Sequence, residues 1–115
     1  MPFANEKYDS IYDLAFKKRK HNPKISNEKA IEAALVALFK YSSRDTMIKL
    51  MGLNTYLEYL NLKEEHFKDS VYVSNEEEII KKYYLIAGEL RKRHFNNSGL
   101  ESTIIAHGME NKFKV

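Results

Sequence analysis

The stretch that most constrains this chain is Ala30-Ile31-Glu32-Ala33-Ala34-Leu35-Val36-Ala37-Leu38-Phe39, ten residues with one charged side chain among them. At helical spacing Ile31, Ala34, Leu35 and Leu38 share a face, and Ala30, Ala33, Val36 and Ala37 make most of the remaining surface apolar too. Such a helix is stable only with neighbours on several sides, and its alanines let those neighbours come close. The run predicts an all-α fold: a compact bundle of five or six helices around a central apolar helix at about 27–41. A chain of 115 residues makes this one domain, 1–115, large enough to bury its own core. Four glycines and two prolines agree, since a many-turned β fold uses more of both.

Around this post the other elements follow from local signals. Tyr8, Ile11, Tyr12, Ala15 and Phe16 predict a first helix over Glu6–Lys18, stopped by His21-Asn22-Pro23 because proline holds the residue before it out of helical angles. Ser26 offers an N-cap oxygen to the central helix. Ser42 and Asp45 have capping-box spacing for a third helix carrying Met47, Ile48, Leu50 and Met51. Gly52 is placed to end that helix in a left-handed conformation, and Asn54 to cap a short one over Thr55–Leu62. That short helix is expected to turn Leu57, Leu60 and one tyrosine inward.

Lys63–Ser70 reads as a charged connector, and Val71-Tyr72-Val73 as an extended linker or a tiny strand. Ser74 and Glu77 form a second capping box at the head of a long amphipathic helix, about 75–94. Ile79, Tyr83, Ile86 and Leu90 are its stripe, with acids in the first turn and Arg91-Lys92-Arg93 in the last, both matched to the helix dipole. Gly88 within it marks either a close helix crossing or nothing. After the Asn96–Gly99 break, Leu100, Ile104 and Ile105 suit a short helix, and Thr103-Ile104-Ile105 suits an extended segment equally well. Residues 1–5 and 108–115 are expected to fray.

Catalytic chemistry finds little to work with. No cysteine is present, which excludes disulfides, thiolate metal sites and cysteine nucleophiles. The histidines stand at 21, 66, 94 and 107, none with a second at ligand spacing. Glu64-Glu65-His66 with Asp69 is the densest ligand-like patch, but adjacent side chains on a helix do not converge on one point. Phosphate-cradling glycine loops and nucleophile-elbow serines are absent, and Glu76-Glu77-Glu78 serves the dipole. The expectation is a non-enzymatic protein with no metal, no cofactor and no small-molecule substrate.

Charge is more informative than its small net value of +3. Lys17, Lys18, Arg19, Lys20 and Lys24 form one basic cluster, and Arg91, Lys92 and Arg93 a second. Such polarity suits nucleic acid or an acidic partner; equally, the clusters complement helix dipoles and remain solvated. Between them, Ser43–Asn54 is similar to the first helix and glycine turn of a helix–turn–helix, here in degenerate form over 43–62. Thr55–Leu62 would then be the recognition helix, reaching bases or phosphates with Asn54, Thr55, Tyr56 and Tyr59. A plain helical hairpin with a glycine corner explains the same pattern, and the stretch Thr55–Leu62 holds no arginine or lysine.

Two functions are therefore expected from the sequence. One is a small nucleic-acid-binding regulatory or accessory protein, with DNA favoured over RNA. The other is a protein-interaction module: an inhibitor, an adaptor or a small helical subunit of an assembly, with a homodimer among its forms. Eight tyrosines and six phenylalanines serve either reading, as core rings or as exposed contact surface. The N-terminus lacks the basic-then-apolar layout of a signal peptide, and no run approaches the roughly 18 apolar residues of a membrane span. A cytoplasmic protein without membrane contact is expected.

Overall fold

The computed structural model of the chain describes residues 9–68 and 75–112. Six helices follow in order: α1 (Asp9–His21), α2 (Asn27–Tyr41), α3 (Arg44–Met51), α4 (Leu53–Phe67), α5 (Glu76–His94) and α6 (Asn97–Lys112). No strand occurs among the described residues, and the fold is an all-α bundle. The expected start of the first helix at 6–8, the Val71–Val73 segment, Ser74 and the frayed ends 1–5 and 113–115 lie outside the described residues.

The central post is α2. Ser26 Oγ accepts the Lys29 amide at 3.1 Å, which fixes where the helix starts. Ala30, Ile31, Ala34, Leu35, Val36, Leu38 and Phe39 are all buried, because α1, α5 and α6 pack on it from different sides. From α1 come Ile11, Tyr12 and Ala15; from α5, Ile86, Ala87 and Leu90. The Tyr12 ring meets Phe95 edge-on at 6.3 Å and sits directly on the backbone of α6 at Gly99. A second cluster of rings joins α2, α4 and α5: Phe39 stacks on Tyr59 at 4.4 Å, and Tyr83 approaches both Phe39 and Phe67 at under 6 Å, at 5.7 and 5.6 Å.

Several local expectations shift by a residue or more. Ser43, not Ser42, caps α3, accepting the Thr46 amide at 3.2 Å. Ser42 is already used, since its own N–H donates to Leu38 O and closes α2. Asn75 caps α5, its Oδ1 accepting the Glu77 amide at 2.8 Å, while the expected cap, Ser74, lies outside the described residues. α1 runs on to His21, three residues past the expected end at Lys18, and α4 continues through most of the expected connector to Phe67.

Gly52 is the whole connection between α3 and α4. Its φ of 88° and ψ of 153° are open to glycine at little cost, and its N–H closes α3 on Ile48 O at 2.8 Å. The following helix starts at once, so Asn54 is inside it and makes no cap. That start turns Thr55, Tyr56, Tyr59 and Leu62 inward, so that two tyrosines are buried where one was expected, and it leaves Leu57 and Leu60, expected inside, on the outside. The aromatic face wins because its rings reach Phe39 and bury more apolar surface than leucines would. α6 resolves the last alternative as helix, and it continues past 108 to Lys112.

Two outcomes follow for stability. A methyl group at Gly99 would lie 2.2 Å from Tyr12 Cζ, while one at Gly88 would meet nothing nearer than the Glu32 carboxylate at 3.7 Å. Gly99→Ala is expected to cost about 3 kcal/mol by overpacking, and Gly88→Ala to gain up to about 1 kcal/mol of helix propensity, read from urea midpoints. The second concerns alkali. Burial, then the neighbouring phenol of Tyr83, holds the Tyr59 hydroxyl well above the ordinary tyrosine value. The folded state thus keeps this proton more tightly than the unfolded chain. That contribution is whole below the unfolded value near 10 and is lost as pH rises towards the folded one. Urea midpoints should fall above about pH 10, and Tyr59→Phe should make that fall shallower.

Candidate functional site

The charged groups divide into those the fold pairs and those it leaves to solvent. Arg91 Nε donates to Glu32 Oε2 at 2.8 Å, and both side chains are largely buried between α5 and α2. Arg93 meets Glu58 of α4 at 3.3 Å and Glu89 one turn back at 3.9 Å. His94 Nε2 is 2.7 Å from the other Glu58 oxygen, and His66 Nε2 is 2.9 Å from Glu89. The second basic cluster is thus spent on acids of α2, α4 and α5, leaving Lys92 exposed. Its partners lie up to 59 residues away in sequence, which no local pattern reveals.

A groove of about 350 Å³ beside this network is lined by Glu32, His66, Tyr84, Glu89 and Arg91, with Gly88 at the helix surface. Glu32 and Arg91 face one another there, as do Glu89 and His66, while Lys92, also on its lining, is exposed. Burial, with the Glu32 charge adding to it, holds the Tyr84 hydroxyl above its ordinary value and therefore protonated. Among the described residues no three histidine, aspartate or glutamate side chains are grouped to hold a metal ion.

The first basic cluster is different. Its residues gather at the C-terminal end of α1, where cations suit the negative end of the dipole. Arg19 turns back, its guanidinium donating to Asn27 Oδ1 and, at 3.3 Å, to Pro23 O. Lys17 is near Asp13 at 3.7 Å but mostly exposed, Lys18 is half-buried, and Lys20 and Lys24 are exposed. Phe16, Arg19, Lys20, Pro23 and Ile104 line an open cleft of about 300 Å³ there. One side of Phe16 is taken by the His107 ring, stacked at 4.3 Å.

The expected reading surface on α4 needs correction. Asn54 is exposed, but Thr55, Tyr56 and Tyr59 are 1 %, 8 % and 3 % exposed and belong to the core. They cannot reach bases or phosphates without unfolding the helix. What α4 presents instead is Leu53, Leu57 and Leu60, at 55 %, 47 % and 38 % exposure, in one row. Asn54 and Asn61 flank the row and Glu64 ends it, and no arginine or lysine lies in it. The leucines were visible in the sequence as an apolar stripe, but a second stripe (Thr55, Tyr59, Leu62) has the same spacing and took the inside.

None of the described helices is long and apolar enough to cross a membrane. Comparison of the chain with protein-family models, with curated proteins and with solved structures gives no significant match.

Proposed function

We propose that this chain is a non-enzymatic protein-interaction module, a small helical subunit or adaptor that docks the outward face of α4 on another helical surface. The observation that carries the reading is the row Leu53, Leu57 and Leu60 on the exposed side of α4. Single exposed leucines are ordinary on any protein surface. Three at i, i+4 and i+7 of one helix are the anchor pattern by which helices seat in apolar grooves. Further support comes from the polar groove, where Glu32 is engaged with Arg91 and Glu89 with His66 rather than held ready for a substrate. A photo-crosslinking residue at position 57 should capture protein in the source cell far more efficiently than one at Lys81, an exposed site on α5. Equal or absent capture at the two positions would sink the reading.

A second reading, nucleic-acid binding, keeps one observation of its own. Lys17, Lys18 and Lys20 lie in the last turns of α1 and Lys24 just beyond it, and of these Lys17 has Asp13 beside it. Attachment there would be electrostatic and indifferent to sequence, with each neutralised phosphate adding a slope of about 0.9 in the logarithmic salt dependence on duplex DNA. Under this reading Lys18→Glu with Lys20→Glu lowers affinity for random DNA or RNA, and Arg93→Gln leaves the salt slope unchanged. Absence of binding to duplex or single strands at low salt would remove it.

A further inference from the structure

The outward face of α4 also says which kind of surface covers it. Leu53, Leu57, Leu60 and Glu64 are separated by four, three and four residues, a spacing that reads the same in either direction. Placed antiparallel to itself about an axis between residues 58 and 59, the helix brings Leu57 against Leu60 of a second copy, and Leu53 against its Glu64. The spacing thus permits a two-fold pairing with the leucine contacts, Leu57 on Leu60 and Leu60 on Leu57, at its centre.

The charges along α4 point the same way. In α2, α3 and α5 acids occupy the first turn and cations the last, as the helix dipole favours. α4 departs from this pattern. Its first turn has no acid, and Gly52 gives it no side-chain cap. Its last turn holds Glu64 and Glu65, both exposed, beside His66, whose ring is engaged with Glu89. In the monomer the two glutamates meet the negative end of their own helix. Antiparallel pairing brings each copy's Glu64 and Glu65 to the uncapped, positive end of its neighbour, so the same residues become favourable.

We propose that a second copy of this chain covers the outward face of α4, forming an antiparallel two-fold dimer centred on Leu57 and Leu60. The inference rests on the interaction reading above and names its partner. A row of three leucines spans about 10 Å of helix. It falls well short of the roughly 800 Å² per partner of a standard interface, so the dimer is weak and dynamic.

The test is sedimentation equilibrium of the intact chain from micromolar to millimolar concentration, with circular dichroism confirming each variant's fold. The chain should show a reversible monomer–dimer equilibrium. Leu57→Glu and Leu60→Lys, both at exposed positions, should each weaken it about tenfold or more. Combined in one chain they should recover most of the loss, because position 57 faces 60 of the other copy. Glu64→Lys with Glu65→Lys should weaken association while leaving the monomer as stable or more so, since the new cations suit its own helix end. A chain that stays monomeric at millimolar concentration overturns the proposal. So does a dimer indifferent to Leu57→Glu, or a double variant no better than the singles. If the pure chain is monomeric while position 57 still captures another protein in cells, self-pairing fails and the interaction reading stands. If both fail, both are lost.

Discussion

Everything in this bundle answers to one requirement, that a helix apolar on nearly every side must be covered on nearly every side. α2 makes that demand, and α1, α5 and α6 meet it from different directions. The exception within its apolar run, residues 30–39, is Glu32, which can neither be left unpaired in an apolar seam nor moved out of it. Arg91 satisfies it at 2.8 Å. A charge pair so poorly exposed adds little net stability, but breaking it strands an ion, which makes it selective for one register. The α2–α5 seam is therefore set by packing of Ala87 and Leu90 and by charged contacts, this half-buried pair and, at the other end, Lys40 on Glu76 at 2.7 Å.

The cost of unpaired polarity also explains the division of the surface. Where acids and cations from separate helices face one another, around Glu58, Glu89, Arg93 and His94, the surface is close to neutral and knits α4 to α5. Where the cations belong to one helix end, at the close of α1, the charge remains. The two basic clusters look alike as strings of residues and differ entirely in what the fold opposes to them.

How far the sequence could be read depended on how local each determinant was. Ser26 and the central helix were legible because cap and apolar run are adjacent and unambiguous. Adjacent serines at 42 and 43 were not, because either can cap and the choice is made by where α2 stops. The phase of α4 was illegible for a deeper reason: two apolar stripes share one helix, and only the rings waiting on α2 and α5 choose between them. The same choice reversed the candidate site, moving Thr55, Tyr56 and Tyr59 inside and Leu57 and Leu60 out. β-branched Thr103 and Ile104 left the last segment open between helix and strand. Inside the helix the Thr103 hydroxyl donates to Gly99 O at 3.0 Å and so is buried with its hydrogen bond made. The basic end of α1 was legible throughout, since it is one contiguous run.

The seat of Tyr12 on Gly99 has a mechanical side. Most helix pairs meet through interdigitating side chains, which can slide or swap rotamers when a neighbour changes size. Here a flat ring rests on bare backbone, so the separation of α1 and α6 is set by ring thickness, with nothing soft in between. A side chain at position 99 therefore has no rotamer to escape into, and any atom added there has to part the two helices at this point.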